Sequence, residues 1–367
     1  MKNESAVVSY YAKALLGIAT LLFPFTGQCN SGSGLLSMFE SKEKPMKEVA
    51  VKIAELPEQY KITPSALDFS PDGKLLAVRS ADQTINIWDW QNKRIVHTVG
   101  IAKGGNDNGT EPLRFSPDGR LLAVCHGRAD GNVVIRIWRT DTWGILQDIV
   151  DPVPGGCNAI GFSADGKWLM QVLDRAPMFS QDALFVYDTS TWQKIWGLQT
   201  ANFHAYTLAI SPEGKSVALG GELFDGGPIK PQIAIVDLEQ RAIVQTILNN
   251  GVMDRASRLA WSPDGKYLTG AGGNGLQIFE VQSGEQVVDV RPPWGTARTA
   301  LRYTPDGKYL IEGTSTDRNI GWGRIWDVQH RELLQDISGN VRGIAVSRDS
   351  RYMATGTYGK TIMWQFK

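Results

Sequence analysis

Apolar and polar residues alternate along most of the chain in short runs that meet at a recurring turn. LDFSPDGKLLAV from Leu67 and LAWSPDGKYLTG from Leu259 each alternate, pass through Ser-Pro-Asp-Gly, and continue into a second apolar run. Alternation is typical of a strand with one buried face, and a Pro-Asp-Gly sequence reverses the chain tightly. The pattern therefore predicts two antiparallel strands joined by a tight turn.

This hairpin occurs seven times. The acidic turn residues recur every 42 to 51 positions, at Asp72, Asp118, Asp165, Glu213, Asp264, Asp306 and Asp349. After each hairpin come a variable loop, a third strand such as TINIWDW from Thr84, and a fourth apolar stretch such as KRIVHTV from Lys93. A steady period of this length indicates units that bury their faces against their neighbours. We predict seven four-stranded antiparallel units.

The units resemble the WD-repeat β-propeller family, which has a turn of this type and ends its third strand in Trp-Asp. Trp88-Asp89 and Trp326-Asp327 match that ending, and the resemblance covers about residues 48 to 367. The Gly-His pair that precedes the family's first strand is missing from all seven units, so they are expected to rely more on apolar packing. The resemblance implies an all-β fold, a seven-bladed β-propeller with four antiparallel strands in each blade.

The seventh unit ends after its third strand, at Lys367. The segment EVAVKIAEL, from Glu48 to Leu56, precedes the first unit and alternates like a strand. We predict that it supplies the outer strand of the last blade, because closing a ring in this way removes exposed sheet edges.

The N-terminal segment predicts export. Ala14 to Phe25 carries no charge and is shorter than the roughly 20 apolar residues that a spanning helix needs, so it fits a secretory signal. The GQCNSGSG sequence that follows resembles a bacterial lipoprotein with a lipidated Cys29, although Gln28 replaces the small residue expected before the cysteine. Cleavage near Ser31 or Ser33, an uncleaved anchor, and a buried helix of a cytosolic protein stay open. We assign residues 1–33 to this signal or membrane anchor, 34–47 to a linker and 48–367 to the propeller.

Composition narrows the choice of partners and cofactors. Lys plus Arg and Asp plus Glu are both 38, so the chain has no general attraction to nucleic acid or to anionic membranes. Three Cys and four His are too few and too scattered for a disulfide scaffold or a structural zinc cluster. We expect no metal, no cofactor and no nucleic acid, and membrane contact only through the N-terminal segment.

The irregular loops opposite the Ser-Pro-Asp-Gly turns are the expected place for binding, because such insertions carry function in repeat proteins. Blades five to seven supply a one-sided basic arc with two aromatic neighbours, formed by Arg255, Arg258, Arg291, Trp294, Arg298, Arg342 and Tyr358. Arginine with exposed aromatic residues suits carboxylate-bearing peptides. The alternative is ordinary loop charge, paired with Asp254 and other local carboxylates.

Catalysis has little support in the sequence. His97, His126, His204 and His330 fall in different units, and no GxSxG, HExxH or phosphate-loop motif occurs. A propeller enzyme can still assemble its site from separate blades.

Two of the cysteines, Cys125 and Cys157, are expected high on neighbouring blades. They are either free buried thiols or, in an exported protein, a disulfide.

These observations predict a non-catalytic, exported scaffold that presents a rigid propeller surface to a protein or peptide partner. The part of the partner that contacts the basic arc is expected to be acidic. The chain is expected to act as a monomer. The alternative is an extracytoplasmic enzyme or small-ligand binder that uses the central channel.

Overall fold

In the computed structural model, residues 46–367 form one compact unit. Within it the structure describes all residues except 58–63, 81–83, 101–111, 129, 152–155, 175–181, 201, 225–226, 229, 249–256, 274, 291–296, 316–320 and 358, and the side chains of 151, 174, 182, 248, 297, 298 and 315. Residues 1–45 lie outside this description. The predicted signal or anchor segment, Cys29 and most of the predicted linker therefore fall outside it as well.

The described chain forms 28 β-strands in seven four-stranded antiparallel sheets, and no helix occurs among the described residues. The first strands of the seven blades are β2 (Ala66–Phe69), β6 (Leu113–Phe115), β10 (Gly156–Phe162), β14 (Phe203–Ile210), β18 (Arg258–Trp261), β22 (Ala297–Tyr303) and β26 (Gly343–Val346). The second strands are β3 (Leu75–Arg79), β7 (Leu121–Gly127), β11 (Trp168–Asp174), β15 (Ser216–Leu223), β19 (Tyr267–Gly272), β23 (Tyr309–Ser315) and β27 (Tyr352–Thr357).

The outer half of each blade follows the same order. The third strands are β4 (Thr84–Asp89), β8 (Val133–Arg139), β12 (Asp182–Asp188), β16 (Lys230–Asp237), β20 (Gly275–Glu280), β24 (Trp322–Asp327) and β28 (Lys360–Phe366). The fourth strands are β5 (Arg94–Gly100), β9 (Ile145–Asp151), β13 (Lys194–Gln199), β17 (Ala242–Leu248), β21 (Gln286–Val290) and β25 (Glu332–Ser338), and β1 (Ala50–Glu55) takes this place in blade 7.

The first strands surround the central axis. Each first strand contacts those of the blades before and after it, and β26 of blade 7 contacts β2 of blade 1. These contacts run from blade to blade and return to blade 1, so the seven blades form a closed ring. The predicted all-β fold, a seven-bladed β-propeller, is confirmed.

The N-terminal strand closes the last blade as predicted. β1 pairs antiparallel with β28, from Ala50 opposite Phe366 to Glu55 opposite Ile362. Gln335 of blade 6 adds a second attachment, because its Oε1 accepts hydrogen bonds from the backbone N–H groups of Val49 (2.7 Å) and Ala50 (2.8 Å). The closing strand is therefore held by two blades.

The Ser-Pro-Asp-Gly turns share one hydrogen-bond pattern. In blade 1 the Ser70 hydroxyl donates to Asp72 Oδ1 (2.6 Å) and accepts from the N–H of Leu75 (2.9 Å), while Gly73 has a φ of 72°. That φ lies in the left-handed region that favours glycine. In blade 7 the same position is Ser350, with a φ of 59°. We call the face of the ring that carries these turns the lower face.

The core lies between the blades. Buried apolar side chains of the described residues fall into seven clusters, and each cluster combines residues of two adjacent blades, including the pair formed by blades 7 and 1. Apolar burial is the main favourable term in folding, so each blade depends on both neighbours for stability.

Candidate functional site

The predicted basic arc is only partly described. Arg255, Arg291, Trp294 and Tyr358 lie outside the described residues, as does the side chain of Arg298. Arg258 and Arg342 are described, and both are half-buried at the start of a first strand, in blades 5 and 7. The structure therefore places two of the seven predicted residues, both on the same side of the ring.

Arg258 donates hydrogen bonds to backbone carbonyl groups of its own blade and of blade 6. Its Nε donates to the carbonyl oxygen of Thr299 in blade 6 (2.7 Å), and its Nη1 donates to the carbonyl oxygen of Ser257 (2.6 Å). The Thr299 hydroxyl in turn donates to the carbonyl oxygen of Val341, next to Arg342. These hydrogen bonds join blades 5, 6 and 7, so Arg258 stabilises the junction between blades 5 and 6.

A cavity of about 540 Å³ opens at the lower end of the central channel. Charged side chains of four blades line it: Asp68, Arg114, Arg302 and Arg348. Three guanidinium groups face one carboxylate, so the charged part of the lining has an excess of two positive charges. The sequence predicted the central channel only as the site of the alternative function, and none of these four residues was among the predicted site residues.

The strand geometry explains why these side chains enter the channel. Asp68, Arg114 and Arg302 are the middle residues of the Leu-x-aromatic triplets in β2, β6 and β22, between two buried neighbours. Side chains alternate across a strand, so a middle residue with two core neighbours points to the channel. The charge at this middle position is the signal in the sequence that indicates the cavity.

Hydrogen bonds position the charged groups. Asp68 Oδ2 accepts from the N–H of Phe115 in the next blade (2.8 Å). Arg114 and Arg302 each donate from Nη1 to the carbonyl oxygen of the preceding leucine, at 2.7 and 2.8 Å. These bonds orient each guanidinium relative to its own strand.

The opposite half of the cavity is apolar. Blades 3 to 5 have Gly161, Ala209 and Ala260 at the middle position, and these small residues widen the channel. Tyr303 also lines it. Burial raises the pKa of Tyr303 to about 12, and its hydroxyl lies 2.6 Å from the hydroxyl of Thr269. The phenol therefore remains protonated at neutral pH and adds no negative charge to the lining. Because one half of the lining is cationic and the other apolar, the cavity suits a ligand with an anionic end and an apolar body.

The blade 4 strands β14 and β15 bring a second set of ionisable groups together. The Tyr206 hydroxyl donates to Oε2 of buried Glu222 (2.6 Å), and the His204 ring lies 4.7 Å from the Tyr206 ring. Among the described residues no group of three His, Cys, Asp or Glu is arranged to hold a metal ion.

A disulfide joins Cys125 of blade 2 to Cys157 of blade 3, with a Cα–Cα distance of 5.9 Å. Gln171 Nε2 donates to Cys125 Sγ (3.1 Å), and the Tyr187 hydroxyl donates to Gln171 Oε1 (3.0 Å). Nη1 of buried Arg79 in blade 1 donates to the Cys125 carbonyl oxygen (3.3 Å). The bridge is thus the centre of a buried network that spans three blades.

Membrane contact was predicted only for the N-terminal segment, which lies outside the described residues. In the part of the chain that the structure describes, nothing forms a helix with the length and apolarity needed to cross a bilayer.

Comparison with known proteins agrees with this architecture. Residues 56–89 and 331–364 match the family described as WD domain, G-beta repeat. A WD repeat-containing protein of Synechocystis sp. is 24% identical over 156 residues, which are 42% of this chain and 41% of that protein. SEC12-like protein 1 of Arabidopsis thaliana is 27% identical over 198 residues, covering 53% of this chain and 46% of that protein.

A third relative is hydrazine synthase subunit beta of Kuenenia stuttgartiensis, which is 25% identical over 201 residues, 46% of this chain and 50% of that protein. The chain thus spans about half the length of the curated relatives it matches. The first match covers the first three strands of blade 1, and the second covers the fourth strand of blade 6 and the first three strands of blade 7, which meets blade 1 where the ring closes. Together with the seven-bladed fold, they support a WD-repeat propeller.

Proposed function

We propose that this protein is an exported, non-catalytic scaffold. Its propeller binds acidic side chains of a protein or peptide partner. A WD-repeat propeller is consistent with an interaction scaffold. Its blades are fixed by seven inter-blade cores, so groups on the ring keep their spacing when a partner docks. A rigid surface lowers the entropic cost of association.

The excess of arginine in the channel is the observation that carries this proposal. Arg114, Arg302 and Arg348 surround a cavity whose one acidic lining residue is Asp68. Arginine recognises carboxylates by paired hydrogen bonds, and the apolar half of the wall supplies contact area. An extended partner segment with an Asp or Glu side chain fits both halves of the lining.

The exported location is supported by two observations. The apolar segment from Ala14 to Phe25 fits a secretory signal, and Cys125 and Cys157 form a disulfide. Disulfides persist in oxidising compartments and are rare in the cytosol. Membrane attachment, through a lipidated Cys29 or an uncleaved anchor, is part of this proposal, as is a monomeric body that needs no cofactor and binds no nucleic acid.

The second candidate function is an extracytoplasmic enzyme or binder of a small organic anion. The cavity volume of about 540 Å³ favours it, because small-molecule sites are clefts of roughly 300–1,000 Å³. A peptide side chain and a free carboxylic acid would meet the same arginines. Only their size and the contacts outside the cavity distinguish them.

Binding of a fluorescein-labelled, glutamate-rich peptide, followed by fluorescence anisotropy, tests the proposal. In the double variant Arg302→Gln/Arg348→Gln we expect the dissociation constant to rise at least about tenfold, a loss of roughly 1.4 kcal/mol. The control is Arg120→Gln/Arg351→Gln, which removes two exposed guanidinium groups from the same face outside the cavity lining. It should bind as the wild type does.

Equal binding by the wild type and the channel variant would contradict the proposal. A small dicarboxylate that binds the wild type tightly, while the peptide does not bind, would favour the second candidate. Circular dichroism of each variant establishes that the fold is retained.

A further inference from the structure

The turn between the third and fourth strands of a blade reaches the wedge between that blade and the one before it. Trp143, in this turn of blade 2, stacks on His97 of blade 1 with ring centroids 5.3 Å apart and an interplanar angle of 10°. Trp192, at the same position of blade 3, packs on the apolar cluster between blades 2 and 3. Both residues have a left-handed φ, 55° and 59°. An indole from this turn therefore seals each of these two wedges.

Blade 4 has an exposed arginine, Arg241, at this position, with nearly the same backbone angle (φ 56°). A groove of about 660 Å³ remains between blades 3 and 4. Trp168 and Trp196 line it, both half-buried, and both pack on the apolar cluster between the two blades. Where the two preceding wedges are sealed by an indole, this one leaves two indoles accessible from outside.

The rim of the groove is acidic. Four carboxylates line it, those of Asp165, Glu213, Asp237 and Glu239. The cationic lining residues are Lys215 and Arg241, and Lys167 beside the groove pairs with Asp165 (Nζ–Oδ2 3.1 Å), so the four carboxylates exceed these three cations by one. The Ser163 hydroxyl, which donates to Asp165 at 2.7 Å, holds the pKa of that carboxyl below its usual value. Asp165 is therefore ionised at neutral pH.

Indole faces and carboxylates attract the same kind of group. The face of an aromatic ring is electrostatically negative, so it attracts a Lys ammonium or an Arg guanidinium placed over it, and Trp does so most strongly. The long alkyl stems of these side chains also bury well on apolar surface. An aromatic groove with an acidic rim thus fits a basic side chain better than an acidic or neutral one.

We propose that the groove between blades 3 and 4 binds a lysine- or arginine-containing segment of a partner protein. The basic side chain lies over Trp168 and Trp196, and the excess of carboxylates on the rim balances its charge. This groove lies on the lower face of the ring between the turns of blades 3 and 4, it shares Ala164 with the lining of the channel cavity, and it selects the opposite charge. It is independent of the proposed channel function.

Replacing Arg241 with Trp tests the proposal with a side chain that the fold already accepts in this turn. Arg241→Trp should seal the wedge as Trp143 and Trp192 do. We expect the affinity for a short lysine-rich peptide, measured by isothermal titration calorimetry, to fall at least about tenfold. The control is Lys93→Trp, which adds an indole at the same turn position of blade 1 (φ 52°), outside the groove lining. It should bind the peptide as the wild type does.

A second variant keeps the test valid if Arg241→Trp does not fold. Glu213→Gln/Glu239→Gln leaves both indoles in place and removes two exposed rim charges. It should weaken binding and make it less sensitive to salt, because fewer charges are screened. Three results would overturn the proposal: no binding of the peptide to the wild type, equal binding by Arg241→Trp, or an equal loss in Lys93→Trp.

Discussion

The wedge between blades 2 and 3 and the wedge between blades 3 and 4 are built from the same repeat, yet one is sealed and the other is open. Between blades 2 and 3, the Cys125–Cys157 disulfide joins β7 to β10, and Trp192 packs on the apolar cluster. Between blades 3 and 4, Arg241 takes the place of Trp192 in the repeat, and a groove of about 660 Å³ remains.

The two wedges differ in the side chain at this turn position. A tryptophan can bury 150–250 Å² of surface, whereas arginine keeps its guanidinium in water. The turn backbone is nearly the same in both blades, with φ values of 59° and 56°. The same turn backbone therefore carries an indole in the sealed wedge and a guanidinium in the open one.

Of the junctions between blades, the one that closes the ring is expected to contribute most to the stability of the fold. Deleting residues 1–56 removes β1, exposes the edge of β28 and takes the partners of Gln335 away. We expect it to remove most of the roughly 5–15 kcal/mol by which a typical domain is stable. Thermal unfolding followed by circular dichroism measures this. The control, deletion of residues 1–45, retains β1 and should unfold at the temperature of the full chain. An unchanged midpoint after the longer deletion would contradict the closure by β1.

The disulfide is expected to have the next largest effect. Its cysteines are 32 positions apart, so the chain-entropy argument gives about 3–4 kcal/mol of stabilisation. Cys125→Ala/Cys157→Ala should lower the urea midpoint by the corresponding amount. Reducing the wild type with dithiothreitol should do the same and should leave the variant unchanged. A variant as stable as the oxidised wild type would mean that the buried contacts alone hold blades 2 and 3 together.

Exchanging the turn residue is the smallest and most direct test of the comparison. Trp192→Arg should open the wedge between blades 2 and 3 and cost about 1–3 kcal/mol, because a half-buried indole loses its apolar contacts. Arg241→Trp, by filling the groove, should stabilise by about 0.5–2 kcal/mol. Urea unfolding of both variants measures the two changes. If both substitutions change the free energy of unfolding in the same direction, the turn residue does not explain why one wedge is sealed and the other open.

The sequence was sufficient to predict the fold. Each Ser-Pro-Asp-Gly turn is fixed by residues within a few positions of one another, as when Ser70 binds both Asp72 and Leu75. Hydrogen bonds between residues this close in the chain can be predicted from the sequence. Seven regular copies of one unit are compatible with few folds. The closing strand was also predictable, because one blade lacked an outer strand and one segment alternated without a partner.

The sites were predicted less completely. The loop sequences predicted Arg258 and Arg342 as binding residues, yet Arg258 donates to the backbone of the next blade, which its position in the sequence does not reveal. Arg114 and Arg302 lie inside strands, at positions typical of core and not of binding groups, whereas Arg348 lies in the turn after β26. The charge of Arg114 and Arg302 at the middle position of a Leu-x-aromatic triplet was readable, but its meaning depends on which face of the strand meets the axis.

The sequence by itself determined the repeat, the turn chemistry and the closure of the ring, because these depend on residues close in the chain and on a repeated pattern. Tertiary structure alone decided that Trp168, Trp196 and Arg241 share a groove and that arginines of blades 2, 6 and 7 share a cavity. These groups come from different blades, and only the packing of one blade on the next fixes the space between them. Binding surfaces in a propeller are properties of that packing.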